Sequence, residues 1–222
     1  MSAAGHEAPL SFGGASAGSA RMGLVLLHGR GASARDILGL GDALGLPDVA
    51  TVAPQAPGHS WWPKSFLAST QVMEPHVEAG MAAIETAISA LEADGLSRER
   101  IVVAGFSQGG CLALEYGARR GGLAGILGLS AGLVGTADAP GTPDPALYGH
   151  AAKAFDYATD LSGIPVTITV HAQDPHIPLK RAEDSASVFR KLGAEVMLDV
   201  TPGPGHGLTQ AGVTALRAAL NR

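Results

Sequence analysis

A short glycine-rich segment, GFSQG at residues 105–109, restricts the fold more than any other part of the sequence. It directly follows the apolar run RIVVAGF and directly precedes a stretch of helical period. Such a strand–turn–helix context forces Ser107 into a strained backbone conformation that projects its hydroxyl above the sheet. Gly105 and Gly109 must lack side chains, because strand and helix pack very closely there. The pattern arises easily by chance among 31 glycines, so the surrounding strand and helix carry the prediction of a nucleophilic serine.

Short apolar runs alternate with longer segments of helical period along the rest of the chain. The predicted strands are MGLVLLHG, DVATVAP, RIVVAGF, LAGILGLS, PVTITVHA and AEVMLDV, and the predicted helices cover residues 34–44, 74–93, 108–119, 179–192 and 208–220. Several strands are almost entirely apolar, as expected where helices cover both faces of a parallel sheet. The sequence therefore predicts an α/β fold with a doubly wound, mostly parallel sheet and helices on both faces.

The length of 222 residues suits one domain. We predict a flexible N-terminal lead-in over residues 1–20, rich in Gly, Ala and Ser, with one short edge strand near Leu10–Phe12. A single domain is expected to cover residues 21–222. One irregular insert, residues 131–164, separates two predicted strands and is expected to fold over the C-terminal edge of the sheet. Whether it acts as a mobile lid stays open.

Composition and charge narrow the classes of partner. With 46% hydrophobic and 16% charged residues the chain is typical of a globular protein, and a net charge of −5 lacks the basic surface that nucleic acid requires. The N-terminus has no basic or continuous apolar segment and Cys111 is the single cysteine, so we expect a cytoplasmic protein. The longest uncharged run, residues 121–137, predicts a buried strand and loop rather than a membrane span. A homodimer is permitted, although nothing specifies one.

A nucleophilic serine needs a base, and the base needs a carboxylate that orients it. Asp174 follows the predicted strand PVTITVHA, and His206 follows the last predicted strand, AEVMLDV. The order Ser107, Asp174, His206, with each residue at the C-terminal end of its own strand, is the order expected of an α/β-hydrolase. We therefore predict a catalytic triad in which His206 is the base and Asp174 orients it.

Other residues compete for two of these roles. Taken alone, His206 is more simply a loop histidine beside glycines, and only its place in the chain order favours catalysis. His171 and His176 lie at the strand end and just after the acid, where a structural or pocket-lining role is expected. Three other acids lie within the insert or a predicted helix rather than at a strand tip: Asp156, Asp160 and Asp184.

The tetrahedral intermediate of acyl transfer needs hydrogen-bond donors for its oxyanion. One donor is usually the backbone N–H just after the nucleophile, here that of Gln108. The other comes from the loop after an earlier strand, and LVLLHGRGAS places the backbone N–H of Arg30 there. We expect His28 to brace this loop through hydrogen bonds. The Arg30 side chain is either a solvated charge or a substrate contact.

No cofactor and no metal are predicted. The eight histidines show no H-E-x-x-H spacing, and C-x-x-C, G-x-G-x-x-G and G-K-S/T are absent. Cys111 lies on the helix after Ser107 and is expected to be a small buried hydrophobe rather than a second nucleophile.

The segment HSWWPKSFL, residues 59–67, contains both tryptophans of the chain. It follows the strand that ends VAPQAP, so it begins at the same C-terminal sheet edge as Ser107. A loop with two tryptophans at this edge is well suited to wall an acyl or aryl pocket. We predict that one of Trp61 and Trp62 lines the pocket and that Phe66 packs beneath the loop. The candidate pocket residues are Trp61, Trp62, Phe66 and Ile177.

Five segments occur in a characteristic order: LLHGRGAS, APQAP, GFSQGG, DPHIPL and PGPGH. Together they resemble the phospholipase/carboxylesterase family, the acyl-protein-thioesterase-like branch of the α/β-hydrolases, from about residue 22 to residue 220. The resemblance implies a small hydrolase with little or no cap, no cofactor, and a triad on Ser107, Asp174 and His206. It also implies activity on carboxylic esters or thioesters with modest acyl chains.

The sequence departs from that family near the expected pocket. Arg30 replaces an apolar residue common in the thioesterases, and SWWPKSF stands where they tend to have a Trp-Phe-Asp segment. Pro175 and His176 lie between the acid and the Ile177-Pro178 pair. These departures bear on the substrate and leave the reaction type unchanged.

The leading prediction is a serine carboxylesterase that hydrolyses short-to-medium acyl or aryl carboxylic esters, as small-molecule substrates, through an acyl-enzyme. Acyl-thioesterase, lysophospholipase and amidase reactions stay open, because they use the same catalytic groups. A non-catalytic ligand-binding protein on the hydrolase fold is an alternative of another class. The presence of Ser, His and Asp together argues against that alternative.

Overall fold

Seven strands form one mostly parallel sheet in the computed structural model, which describes residues 8–222. The strands are β1 (Leu10–Gly14), β2 (Met22–Leu27), β3 (Val49–Pro54), β4 (Ile101–Phe106), β5 (Gly125–Leu129), β6 (Pro165–Gln173) and β7 (Glu195–Pro204). Their order across the sheet is β1-β3-β2-β4-β5-β6-β7, and all neighbours are parallel except β1 and β3. The predicted mostly parallel sheet is confirmed.

Five helices cover the two faces of this sheet: α1 (Ala34–Ala43), α2 (Thr70–Ala93), α3 (Gln108–Arg120), α4 (Leu179–Lys191) and α5 (Gln210–Leu220). Val25 and Leu27 of β2 enter one hydrophobic core with α2, α3 and α4, whereas Leu24 and Leu26 enter a second core with α1 and α5. Because both faces of β2 are buried, its sequence is apolar throughout rather than alternating. The doubly wound arrangement is therefore confirmed.

Two element boundaries differ from the predicted ones by about four residues, more than the others, and both involve proline. Helix α2 begins at Thr70 rather than at residue 74, so Pro75, which suits a first turn, lies inside the helix. Strand β7 continues to Pro204 instead of ending at Val200. It is an edge strand, where proline is tolerated because one side of the backbone needs no hydrogen-bond partner.

Strand β1 lies within the predicted lead-in and forms the other edge of the sheet. It pairs antiparallel with β3 from Leu10 to Gly14, at the position of the predicted short edge strand. The sheet thus begins before residue 21, the predicted start of the domain, and residues 1–7 of the lead-in lie outside the described residues. Within residues 8–222, none of the helices combines the length and the apolar character needed to span a bilayer.

The C-terminal ends of the parallel strands meet at one edge of the sheet. Strands β2 and β3 lead into the loops at residues 28–33 and 55–69. Ser107 and Asp174 directly follow the ends of β4 and β6, and His206 lies two residues after the end of β7. The topology alone therefore collects at one edge the side chains on which the predicted chemistry depends.

The insert, residues 131–164, reaches the same edge at Tyr148, which bonds to Asp174, and buried charged side chains fix its first part. The Glu115 carboxylate accepts a hydrogen bond from the Val134 N–H at 2.7 Å. The Arg181 guanidinium donates to the Leu133 carbonyl at 2.8 Å. Both side chains are buried, so these bonds form away from competing water.

Candidate active site

The turn after β4 holds Ser107 in a strained conformation. Its backbone has φ 54° and ψ −118°, which L-residues rarely adopt. A Cβ atom on Gly105 would lie 2.3 Å from the Gly109 carbonyl oxygen, and one on Gly109 would lie 2.3 Å from the Leu27 carbonyl oxygen. Only glycine fits at these two positions, as the sequence predicts, and Ser107 is held at the N-terminus of α3.

Hydrogen bonds connect Ser107 to His206 and His206 to Asp174. His206 Nε2 lies 2.8 Å from Ser107 Oγ, and His206 Nδ1 lies 2.8 Å from Asp174 Oδ2. Because an ionised carboxylate only accepts hydrogen bonds, the proton belongs on Nδ1, which leaves Nε2 free to accept one. The structure thus brings together the three residues predicted from three separate strand tips.

The Asp174 carboxylate is buried and accepts hydrogen bonds at both oxygens. Its Oδ1 accepts from the backbone N–H groups of His176 at 2.8 Å and Ile177 at 2.9 Å. Burial by itself would raise the pKa of Asp174, but the hydrogen bonds from His206, Ile177 and His176 outweigh it and lower the pKa below its usual value. The carboxylate is therefore ionised at neutral pH. Tyr148 on the insert donates its hydroxyl hydrogen to the backbone carbonyl of Asp174. The sequence did not reveal this contact.

The competing residues do not take part in this hydrogen-bonded series. His171 lies in β6, and its buried Nδ1 has no partner within residues 8–222. His176 lines the cavity beside Ser107, with its ring centroid 4.8 Å from that of His206. The three alternative acids have other environments: Asp160 bonds to Ser162, Asp184 pairs with Lys180, and Asp156 is exposed on the insert.

Two backbone N–H groups beside Ser107, those of Arg30 and Gln108, have no hydrogen-bond acceptor in the part of the chain that the structure describes. Gly29 lies so close to the serine turn that a Cβ atom there would be 3.1 Å from Phe106 Cδ1. The Gln108 N–H also begins α3, where the helix dipole contributes partial positive charge. Both Arg30 and Gln108 line the same cavity as Ser107, as an oxyanion hole requires.

His28 braces the loop that follows β2. Its Nδ1 bonds to the Gly29 carbonyl at 2.8 Å, and its Nε2 accepts from the Ala56 N–H at 3.1 Å. Burial lowers the pKa of His28, and the bond to Gly29 opposes this only in part, so the ring is neutral at neutral pH. The predicted bracing role is confirmed, and it ties the loop after β2 to the loop after β3.

A cavity of about 630 Å³ opens beside Ser107 and His206. Three of the four predicted pocket residues line it: Trp62, Phe66 and Ile177. Phe66, which was expected to pack beneath the loop and was also named as a pocket candidate, is buried and forms part of this wall. The apolar lining is therefore close to the reacting groups, as a pocket for an acyl or aryl group requires.

Trp61, the fourth candidate, does not line the Ser107 cavity; of the two tryptophans, one of which was expected there, only Trp62 does. The Trp61 indole N–H donates to the His28 carbonyl at 2.9 Å, and its ring centroid lies 5.2 Å from that of His28. These contacts turn the ring away from the Ser107 cavity and toward a second, more apolar cavity of about 800 Å³. Trp62 and Pro63 border both cavities, so they form the partition between them.

We call residues 55–69, between β3 and α2, the tryptophan loop, and the Gln108 side chain holds it in place. Gln108 Oε1 accepts from the Trp61 N–H at 2.8 Å, and Gln108 Nε2 donates to the Trp62 carbonyl at 2.8 Å. The residue whose backbone N–H is predicted to bind the oxyanion thus also fixes the pocket wall through its side chain.

Arg30 holds the same loop from the other side. Its guanidinium donates to the Pro63 carbonyl at 3.3 Å and to the Lys64 carbonyl. The sequence did not reveal these side-chain roles of Gln108 and Arg30, because their partners are backbone atoms far away in the chain. The one sequence signal that could have indicated these roles is that Arg30 and Gln108 are both predicted to lie beside Ser107.

Cys111 is buried and forms part of the cavity wall. Burial raises the pKa of its thiol to about 12. The thiol is therefore protonated at neutral pH and a poor nucleophile, as expected for a small buried side chain. Within residues 8–222, no three His, Cys, Asp or Glu side chains are grouped so that they could hold a metal ion.

Comparison with known proteins places the chain among hydrolases. The model of the phospholipase/carboxylesterase family matches residues 15–222. The crystal structure of a phospholipase/carboxylesterase from Dyadobacter fermentans is 31% identical in sequence, with a TM-score of 0.82 and 98% coverage of both chains. The crystal structure of esterase PE8 is 27% identical, with a TM-score of 0.72 and 97% coverage of both chains.

A curated relative gives a shorter match. Acyl-protein thioesterase 1 of Gibberella zeae is 32% identical over 129 residues, which is 58% of this chain and 50% of that protein. The match thus spans half of the length of the thioesterase. It agrees with the resemblance that the five sequence segments indicate.

Proposed function

The chain belongs to the phospholipase/carboxylesterase family, and from the geometry of its site we propose that it is a serine carboxylesterase acting on short-to-medium acyl or aryl esters. The observation that carries this proposal is the hydrogen-bonded series from Ser107 through His206 to Asp174, with both contacts at 2.8 Å. The strained serine turn, the buried carboxylate and the two free backbone N–H groups support it, because acyl transfer requires each of them.

In the first half of the proposed reaction, Ser107 Oγ attacks the ester carbonyl carbon as His206 Nε2 takes the hydroxyl proton. Asp174 holds the imidazole through Nδ1 and stabilises its positive charge without taking the proton. The Arg30 and Gln108 N–H groups bind the developing oxyanion, and one such donor is worth about 3–4 kcal/mol of transition-state stabilisation. When the intermediate collapses, His206 donates its proton to the departing alcohol, and the acyl group stays on Ser107.

In the second half, water attacks the acyl-enzyme. His206 Nε2 takes a proton from the water, and the same two N–H groups bind the second oxyanion. Collapse of this intermediate releases the carboxylic acid and returns the proton to Ser107 Oγ. His206 thus acts as base and then as acid in both halves, a contribution of roughly 10²–10⁴ in rate.

The cavity supports the proposed size of the substrate. Its volume of about 630 Å³ lies in the usual range of small-molecule sites, ~300–1,000 Å³. Trp62, Phe66 and Ile177 offer apolar surface to an acyl or aryl group. Trp62 and Pro63 separate it from the second cavity, which favours short-to-medium groups over long chains.

Turnover of p-nitrophenyl butyrate tests the proposal. Ser107→Ala should lose essentially all turnover while its circular dichroism spectrum and melting temperature stay close to those of the wild type. Ser97→Ala is the matched control, because Ser97 is exposed and forms no side-chain cap. Wild-type turnover by a folded Ser107→Ala protein would refute the serine mechanism, and absence of turnover in the wild type would favour a ligand-binding protein.

A second candidate is an acyl-thioesterase, favoured by the 32% identity to acyl-protein thioesterase 1 over 129 residues. The same catalytic groups hydrolyse either bond, so the comparison must hold the acyl chain constant. Oxygen esters and thioesters of acetate, butyrate and octanoate should be compared by kcat/KM. A preference for thioesters at every chain length would replace the carboxylesterase assignment, and a preference for oxygen esters would support it.

A further inference from the structure

We propose that the cavity beside Ser107 selects esters that carry a separate carboxylate, which Arg30, Lys64 and His176 bind. This inference rests on the proposed esterase function and adds the class of substrate. No Asp or Glu within residues 8–222 lines the cavity. Four residues with basic side chains do so: Arg30, Lys64, His176 and His206. Since His206 belongs to the hydrogen-bonded series, the other three are available to a ligand.

The charge at this cavity contrasts with that of the whole chain, which has 20 acidic residues, 15 Lys and Arg, and a net charge of −5. Neither Arg30 nor Lys64 forms an ion pair with a carboxylate in the described part of the chain. By contrast, Arg98 and Arg119 each contact at least two glutamates. Within residues 8–222, Arg30 and Lys64 thus lack a paired carboxylate, and the one carboxylate bonded to a cavity residue is Asp174, which His206 occupies; this arrangement favours an anionic ligand.

The Arg30 guanidinium is already fixed in place. It uses two N–H groups to bind the carbonyls of Pro63 and Lys64, so three of the five donors of a guanidinium remain. Carbonyl acceptors orient the group but leave its charge intact. Binding a carboxylate there would require little further ordering of the side chain, and charge-assisted hydrogen bonds of this kind are among the stronger ones.

Lys64 and His176 extend the basic surface on two sides of the cavity. Lys64 is exposed on the tryptophan loop, next to the carbonyl that Arg30 binds. His176 lies beside the imidazole of His206, at 4.8 Å between ring centroids. An imidazole has at least one N–H donor in either protonation state. A carboxylate can therefore meet donors from three different segments of the chain.

The apolar side chains define the rest of the substrate. The ester group must lie at Ser107, and Trp62, Phe66 and Ile177 add apolar surface to the same cavity. An aryl or short alkyl linker between ester and carboxylate would contact this apolar surface. The inferred class is a monoester of a dicarboxylic acid, or an ester of a hydroxy acid, with a small apolar linker.

Two pairs of esters test this inference. In each pair one compound has a free carboxylate and the other a methyl ester: para-acetoxybenzoate with methyl para-acetoxybenzoate, and monomethyl adipate with dimethyl adipate. The first pair places the charge on the alcohol side and the second on the acyl side. We expect kcat/KM to favour the anion by about fivefold to tenfold in at least one pair at low salt, the effect of roughly one favourable charge contact.

Charge reversal locates the effect in the cavity. Lys64→Glu should remove or invert the preference for the anion. Lys191→Glu is the matched control, because Lys191 is exposed at the end of α4 and forms no ion pair within residues 8–222, so the preference should persist. An equal change in both variants would attribute the preference to overall charge and would overturn the subsite.

Failure of the subsite and failure of the esterase function give different results. If the wild type hydrolyses the neutral esters and shows no preference for either anion, the subsite is refuted and the esterase function stands. If the wild type hydrolyses none of the esters, calorimetry on Ser107→Ala decides the subsite. Tighter binding of para-acetoxybenzoate than of its methyl ester, lost in Ser107→Ala with Lys64→Glu, would support it, and equal binding would overturn it.

Discussion

The turn that carries Ser107 and the loop that carries Trp61 and Trp62 lie at the same sheet edge, but different forces hold them. The turn is fixed by close backbone contacts, since a Cβ atom on Gly105 or Gly109 would lie 2.3 Å from a carbonyl oxygen. The tryptophan loop is held by side chains from outside it, among them those of Gln108, Arg30 and His28. Steric contacts tolerate little change, whereas hydrogen bonds to a loop can be replaced at modest cost.

This difference suggests a division of roles. The turn and the residues bonded to it position the reacting atoms, so changes there should affect rate or stability strongly. The tryptophan loop forms the pocket wall, so changes there should affect the choice of substrate. Substitutions on each side of the comparison test whether that division holds.

Asp174→Asn, which changes a group bonded to the reacting atoms, should give the largest effect, a fall in kcat. The amide no longer stabilises the imidazolium and favours the wrong tautomer of His206, so kcat should fall by about 10³–10⁴. Asp156→Asn, at an exposed position on the insert, is the control and should behave like the wild type. A loss below tenfold in kcat for Asp174→Asn would show that Asp174 does not orient the base.

Gly109→Ala should give the next largest effect, on stability. The new Cβ would lie 2.3 Å from the Leu27 carbonyl oxygen, so strand and helix must separate, and the free energy of unfolding should fall by roughly 2–4 kcal/mol. Gly39→Ala in α1, where no atom lies within 4 Å of the new Cβ, is the control and should be neutral or stabilising. Urea denaturation measures both, and equal values would contradict the steric account of the turn.

Gln108→Ala tests the tryptophan loop directly, because it keeps the backbone N–H and removes the side-chain bonds to the Trp61 N–H and the Trp62 carbonyl, together with a longer contact of 3.3 Å from the Ser60 hydroxyl. Two lost hydrogen bonds cost about 1–2 kcal/mol, so kcat/KM for an aryl ester should fall by roughly tenfold, mainly through KM. Gln210→Ala, exposed at the start of α5, serves as the control. A fall confined to kcat would place the effect in the oxyanion hole instead.

Trp62→Ala should change chain-length preference more than the reactivity of Ser107. Removing the indole joins the cavities of about 630 and 800 Å³, so the ratio of kcat/KM for octanoate over butyrate esters should rise by about fivefold. Phe12→Ala, at an exposed position on β1, is the control. An unchanged ratio would mean that Trp62 does not limit the pocket.

The smallest effect is expected in the pH dependence of the free energy of unfolding. The pKa of Asp174 is lowered in the folded protein, so its contribution to stability is present above the ordinary value of 3.8 and is lost as pH falls through the lower folded value. Between neutral pH and pH ~3, Asp174→Asn should therefore lose less stability than the wild type. Urea denaturation at both pH values measures the difference, and parallel losses would contradict the lowered pKa.

The sequence predicted the turn well and the tryptophan loop only in part. The difference depends on whether the contacts that fix each segment are local in the chain. Gly105, Ser107 and Gly109 act on each other and on adjacent strands, so the motif and its flanking elements contain most of the information. The positions of Asp174 and His206 follow from parallel topology, which places strand ends at one edge. The role of each tryptophan depends instead on contacts that no local pattern records.

Trp61 shows this limit most clearly. Trp62 borders both cavities whereas Trp61 borders only the second, and the sequence does not indicate which of the two lines the Ser107 cavity. The His28 carbonyl decides it, since it binds the Trp61 indole N–H at 2.9 Å. The side-chain roles of Gln108 and Tyr148 were missed for a related reason, because both act on backbone atoms of distant segments.

Covalent labelling tests the central claim, that His206 activates Ser107 as the nucleophile, most directly. The wild type, Ser107→Ala and His206→Ala would each be treated with a small fluorophosphonate and digested, and the modified peptide identified by mass spectrometry. We expect rapid modification of the wild type at Ser107, none at that position in Ser107→Ala, and slowing by about 10³ or more in His206→Ala. Modification of another residue, no modification of the wild type, or an undiminished rate in His206→Ala would contradict the account.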